Sequence, residues 1–206
     1  GDECVKVFIM GNKANAGHTH EDKGSFVLEF AGQTFAADLG ICDYDDPIHA
    51  VYKQCQRHNM LVPVGMAERA APLNPLPFDV RPTGKGDERA FRAQIDATPG
   101  WEGYYTKWVR TWDSPSPDVL TIRDEYELAK GDAVEFYWQT SLPVVRTDRV
   151  VTIRGDKGLA TISVPPDCTV RIDRLPLAQG AEHTRIAIRK PAPSGTLETI
   201  VHLHSE

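Results

Sequence analysis

The sequence predicts an all-β domain, a two-layer antiparallel β-sandwich of roughly a dozen strands. Three observations carry this reading. Short runs rich in β-branched and aromatic residues recur along the whole chain; Gly, Pro, Asp and Asn break them at short intervals; and no long amphipathic helix interrupts the pattern. With 206 residues, 41% of them hydrophobic, the chain is long enough to bury one core, so positions 1–206 are read as one domain. So many strands exceed what one open sheet holds without curling or splitting, which favours two packed layers.

Val5 to Met10 is the first apolar run. Ser25 to Phe30 and Gln33 to Asp38 read as a hairpin joined at Ala31-Gly32, and alternation puts Phe26, Leu28 and Phe30 on one face. Pro47 to Gln56 reads as a helical turn, because Pro suits the first helical position. Met60 to Val64 is a further strand, followed by a Pro-rich connection from Pro63 to Pro82. Phe91 to Asp96, Tyr104 to Trp112, Val119 to Glu127 and Ala133 to Gln139 come next. Val150 to Arg154 and Leu159 to Val164 flank Gly155-Asp156-Lys157-Gly158, a turn whose glycines are expected to supply positive φ. Thr169 to Asp173, Arg185 to Arg189 and Leu197 to His202 complete the set.

The formal net charge of -6 opposes the broad positive footprint of a nucleic-acid binder, while leaving room for a local basic groove. No apolar run reaches transmembrane length, and Gly1-Asp2-Glu3 lacks the basic and apolar regions of a signal peptide; the chain as given is expected to be soluble. Cys4, Cys42, Cys55 and Cys168 show no CxxC spacing. A Cys42–Cys55 bridge and buried free thiols are equally open.

His18 and His20, one residue apart, point the same way on an extended strand. Together with Asp38 and His58 they offer the nitrogen and oxygen donors of a borderline metal such as zinc. His20, Asp38 and His58 fall in three successive elements and are the candidate ligands. Any one of them alone would read as a surface or capping group; the three together lower that alternative. Asp22 can accept the free ring N–H of a ligand histidine, or simply stabilise a turn. His18 is left to face substrate. Tyr44, in the polar loop Asp43-Tyr44-Asp45-Asp46, is a candidate acid or base; it needs a nearby cation to act as a base and none to donate a proton. Packing on a neighbouring strand is the alternative. Arg57 carries a planar fork suited to a carboxylate or sulfate, with a cross-strand ion pair as the other reading. His49, His183, His202 and His204 lack partners at useful spacing and read as structural or solvated. Trp101, Tyr104, Tyr105, Trp108 and Trp112 read as core and rim aromatics rather than a ligand-stacking platform.

These motifs resemble the C-terminal β-sandwich domain of the heparinase II/III-like polysaccharide lyases, a group that includes alginate lyases. His18-Thr19-His20-Glu21-Asp22-Lys23-Gly24-Ser25-Phe26 looks like the family's His-x-His-x-Asp-x-Gly-Ser-Phe, and Ala37-Asp38-Leu39-Gly40 like its apolar-Asp-x-Gly. Arg57-His58-Asn59-Met60-Leu61 is similar to its His-Asn-Thr-Leu, with Met60 in place of Thr. Tyr44 falls where the family has its Tyr, and Asp148-Arg149-Val150-Val151 is similar to its Arg-centred strand. Roughly the first sixty residues carry nearly all of the resemblance.

The resemblance implies zinc held by His20, Asp38 and His58, with His18 and Tyr44 as catalytic groups lining a substrate cleft. It implies cleavage of an acidic, uronic-acid-containing polysaccharide by β-elimination, in the periplasm or outside the cell. It also implies a partner: the N-terminal α/α toroid of a longer parent lyase, of which this chain would be a fragment. Neither nucleic acid nor membrane is an expected partner. One other reading is a non-catalytic carbohydrate-binding module with a structural metal. A cupin-like oxygenase is opposed by the absence of a Glu four or five residues after His20, where Gly24 and Ser25 stand.

Overall fold

The computed structural model describes residues 5–11, 20–66 and 80–205. The strands are β1 (Lys6–Ile9), β2 (Phe26–Phe30), β3 (Gln33–Ala36), β4 (Leu61–Pro63), β5 (Thr83–Gly86), β6 (Phe91–Asp96), β7 (Tyr105–Ser116) and β8 (Val119–Leu128). They continue as β9 (Val134–Thr140), β10 (Val144–Thr147), β11 (Val150–Arg154), β12 (Gly158–Ser163), β13 (Thr169–Pro176), β14 (Glu182–Lys190) and β15 (Ser194–Ser205). An eight-stranded sheet runs β10-β11-β12-β15-β8-β7-β6-β5, a four-stranded sheet β13-β14-β9-β4, and a three-stranded sheet β1-β2-β3. The result is the all-β sandwich expected, with its core residues drawn from all three sheets.

Strand β8 shows how period two builds this core. Leu120, Ile122, Asp124, Tyr126 and Leu128 face inward while the residues between them stay partly or fully exposed. That row carries a carboxylate into the interior, and its partner is in register: Asp124 lies opposite Arg110 of β7. Arg110 Nε and Nη2 donate to the two Asp124 oxygens at 2.7 and 2.9 Å, and Trp108 Nε1 donates to Oδ1 at 2.7 Å. Arg110 Nη1 donates to the carbonyls of Gly24 and Asn59, both at 2.8 Å. The guanidinium also lies 5.2 Å from the ring centroids of Trp108 and Phe136. A charge that would be prohibitive if unpaired is therefore fully satisfied.

The four-stranded and three-stranded sheets are joined through Asn59. Its Nδ2 donates to the carbonyls of Phe26 and Ala37 at 2.7 and 3.0 Å, and its Oδ1 accepts from the Gln139 amide at 2.7 Å. Beside it, Ala37 N donates to Gln139 O at 2.8 Å.

Several expectations are met and several corrected. The Ala31-Gly32 hairpin has φ of 49° and 74°, the signs a type I′ turn requires. The Pro47 to Gln56 region forms a short helix α1 (His49–Tyr52) and a 3-10 turn (Cys55–Arg57). Trp108 and Trp112 are fully buried, so they are core and not a platform. Cys42, Cys55 and Cys168 are free thiols, and burial pushes Cys55 up to about 12. Strands β5 and β10 were not expected: Thr-Gly-Lys-Gly carries no apolar residue, and β10 is a four-residue edge strand. The Gly155–Gly158 turn holds neither glycine at positive φ. Space is the reason for both. A Cβ on Gly155 would stand 2.5 Å from Gln33 Oε1 and 2.9 Å from Phe35, and one on Gly158 would stand 2.9 Å from Phe30.

Removing one member of a buried, hydrogen-bonded ion pair leaves the other uncompensated. Arg110→Ala is expected to lower the unfolding free energy by roughly 3–5 kcal/mol, seen as a drop in the urea midpoint; a loss under about 1 kcal/mol would deny the pair a central role.

Candidate functional site

The site grows from the two backbone segments that Arg110 grips. One is the His20–Ser25 loop, where the chain turns through Gly24 at φ 91° before entering β2. It is fastened along the α1 segment: Glu21 N donates to Lys53 O at 2.8 Å, and the Cys55 amide donates to Glu21 Oε2 at 2.9 Å. The other is the segment from Cys55 to Asn59, which places His58 under the loop. The His20 and His58 ring centroids lie 5.2 Å apart.

His58 is completely buried, and its Nδ1 donates to Asp38 Oδ2 at 3.0 Å. The second oxygen, Oδ1, accepts from the Gly40 amide at 2.8 Å. Burial works against ionisation of Asp38, but the His58 hydrogen bond and charge, with the Gly40 N–H, hold its pKa below the usual carboxylate value. With Nδ1 engaged by a carboxylate, Nε2 is the ring atom left to meet a ligand, and in a neutral imidazole protonated at Nδ1 it carries a free lone pair. That atom is buried and, among the described residues, has no hydrogen-bond partner. Burial, and then the neighbouring His58, lower the pKa of His20 against the pull of Asp22 and Asp38, which favours its neutral imidazole.

His20, Asp38 and His58 are thus neighbours, as their spacing suggested. Among the described residues, however, no three His, Cys, Asp or Glu side chains form a metal-holding group. Both Asp38 oxygens are instead engaged within the site, one by His58 and one by the Gly40 amide. The carboxylate that fixes a candidate ligand imidazole is therefore Asp38. Asp22 acts on His20 as a nearby negative charge, and its carbonyl accepts from Ser25 N at 2.7 Å in the turn. His18 lies outside the described residues.

Tyr44 is 65% exposed. Its ring meets that of His49 at 4.5 Å between centroids, tilted by 33°, and the Lys53 ammonium lies 5.8 Å from its centroid. Neither His49 nor Lys53 stood out from sequence, yet their i, i+4 spacing across α1 and its C-cap puts both on one face of a helical turn, where they flank Tyr44. His49 Nδ1 is itself fixed by donating to the Cys42 carbonyl at 3.0 Å. Tyr44 lines a cleft of about 650 Å³ walled by residues of the 39–47 segment, Tyr52, Ala178 and Gln179.

Arg57 is turned inward. It is 5% exposed and its Nη1 donates to the Pro176 carbonyl at 2.8 Å, so it supports the end of β13 from beneath. His183, also buried, hydrogen-bonds through Nε2 to Gln139 Oε1 at 2.8 Å.

A family model described as "Heparinase II/III-like, C-terminal" matches residues 5–187. The chain belongs to this family. Among solved structures, the heparinase III BT4657 gene product aligns over 100% of this heparinase II/III-like domain and 33% of its own chain, at 12% identity and a TM-score of 0.78. The heparan sulfate lyase HepC from Pedobacter heparinus aligns over 97% of the domain and 33% of its own chain, at 15% identity and a TM-score of 0.72. A mutant of that lyase covers 99% of the domain at a TM-score of 0.75. The domain therefore spans about a third of the chains it matches, and these likenesses bear on its fold. No curated protein sequence matches.

Burial, and then Arg57 and Arg185, lower the pKa of His183 from 6.5 to about 4. Below pH 6.5 the unfolded chain takes up a proton that the folded chain refuses until about pH 4, so stability falls between those values, by up to about 3 kcal/mol. Urea midpoints at pH 7.5 and 4.5 should show that loss reduced in His183→Gln, whose neutral amide can keep a bond to Gln139. An equal loss in both proteins would refute the assignment.

Proposed function

We propose that this domain is the β-sandwich half of a zinc-containing polysaccharide lyase that cleaves uronic-acid-containing polysaccharide, of glycosaminoglycan or alginate type, by β-elimination. In this reading it works with the N-terminal α/α toroid of its parent chain, in the periplasm or outside the cell. The observation that carries the proposal is His58: its Nδ1 is held by Asp38, and its bare, buried Nε2 sits beside His20. A carboxylate on one ring nitrogen and a lone pair on the other is how proteins orient a metal-binding imidazole. The two solved relatives are described as heparinase III and heparan sulfate lyase, which agrees with the substrate class.

His20 and His58 would contribute imidazole nitrogens to zinc, and Asp38 an oxygen or the bond that orients His58. Bound zinc would supply fixed positive charge that organises the surrounding loops; an elimination needs no metal-generated hydroxide. The chain's own groups do the rest. Tyr44, exposed in the cleft, moves a proton at the reacting sugar, either taking it from C5 or giving it to the leaving glycosidic oxygen. Lys53 beside it offers the cation that a uronate carboxylate or a phenolate requires. His18 is the second proton-handling or carboxylate-facing group. Arg57 has a supporting role, because its guanidinium lies below the surface.

Metal analysis of the purified domain should give about one zinc per chain in the wild type and none in His20→Ala; zinc retained by the variant would remove the ligand assignment. In the full-length parent, Tyr44→Phe should lower kcat by roughly 10²–10⁴-fold while leaving zinc in place, followed by the ultraviolet absorbance of the unsaturated uronate product. Polymer binding without product in the wild type would favour the non-catalytic binding module.

A further inference from the structure

Among the described residues, three that are not glycine have positive φ: Ala31 at 49°, Asp148 at 52° and Gln179 at 59°. This region of backbone is disfavoured for residues with a Cβ, so each instance calls for a cause. Ala31 is 5% exposed, and its methyl packs into the core. Asp148 belongs to the short polar residues that enter this region most readily. Neither reason applies to Gln179, which is exposed and has a long side chain.

Gln179 and Gly180, at φ 59° and 77°, are the central pair of the turn that returns β13 to β14. Positive φ at both positions is the type I′ pattern, for which Asn, Asp or Gly is the favoured first residue. Turn chemistry does not select glutamine. The location of the turn does. Ala178 and Gln179 form one wall of the cleft that Tyr44 lines, while Asp43, Asp45 and Asp46 stand on the other segment. The turn is held firmly there: Ala178 N donates to Tyr52 Oη at 2.9 Å, Leu177 N to Ala181 O at 2.7 Å, and Arg57 Nη1 to Pro176 O at 2.8 Å. Among the described residues, nothing hydrogen-bonds the Gln179 amide.

Ionised aspartates accept hydrogen bonds and repel carboxylates, whereas a primary amide presents two N–H donors without charge. An acidic sugar in this cleft can give its hydroxyl protons to the aspartate wall, but its carboxylate oxygens need donors from elsewhere. We propose that Gln179 is a substrate-binding residue whose side-chain amide donates hydrogen bonds to carboxylate or hydroxyl oxygens of the acidic sugar held in the Tyr44 cleft. The assignment rests on the lyase reading above and adds to it a contact from the β13–β14 turn.

The test uses the full-length parent and a uronate polysaccharide that it cleaves. Gln179→Gly relieves the backbone and should melt at or above the wild-type temperature, yet raise KM roughly tenfold with kcat within about twofold, the signature of lost binding. Gln179→Glu keeps the shape and the backbone demand but replaces donors with charge, and should raise KM further, by an amount that shrinks with added salt. An active parent whose KM is unchanged in both variants would overturn the inference and leave Gln179 as a turn residue only. A wild-type parent that cleaves no uronate polymer would overturn the lyase reading itself, and this contact with it.

Discussion

Arg110 and Asp124 form the interaction on which the rest of the structure leans. A buried ion pair is a weak source of net stability, because desolvation consumes most of the attraction. Its value here is geometric. With two donors committed to Asp124, the guanidinium has its remaining inward donor fixed in direction, and that donor holds the carbonyls of Gly24 and Asn59. Those residues belong to the segments that deliver His20 and His58. The placement of the two imidazoles is therefore anchored from the interior of the sandwich as well as by the loop bonds of Glu21.

Asn59 extends the same control sideways. A side-chain amide that bonds two carbonyls and one amide of neighbouring strands imitates a piece of β-ladder at the place where two sheets meet. It closes a seam that would otherwise leave backbone groups unpaired in a dry interior. Because Asn59 directly follows His58, the seam and the candidate metal ligand cannot move independently.

Much of this was legible in the sequence. Alternation located the central strands, and the His20, Asp38 and His58 spacing brought together side chains that are neighbours in space. What stayed hidden was of two kinds. Arg110 and Asp124 stand inside runs that read as ordinary strands, and nothing local says that their row faces inward until the register of β7 and β8 is known. Arg57 looked like a surface cation because it sits beside a candidate ligand, but a three-residue 3-10 turn rotates it beneath the loop. Lys53 and His49 could have been found by placing the i, i+4 rule on the short helix after Pro47; the pull of the histidine motif obscured them.

The close fit of Gly155 and Gly158 against Phe30, Gln33 and Phe35 has a consequence for how the site is maintained. These two glycines belong to a hairpin of the eight-stranded sheet, whereas Phe30 and Phe35 flank the turn between β2 and β3, the strand pair that runs on directly to Asp38. A single added methyl group in that hairpin would displace an aromatic ring, shift the end of β3 and alter the angle at which Asp38 meets His58. The alignment of a buried hydrogen bond at the site is thus coupled to side-chain volume at a turn of another sheet, a position with no chemistry of its own.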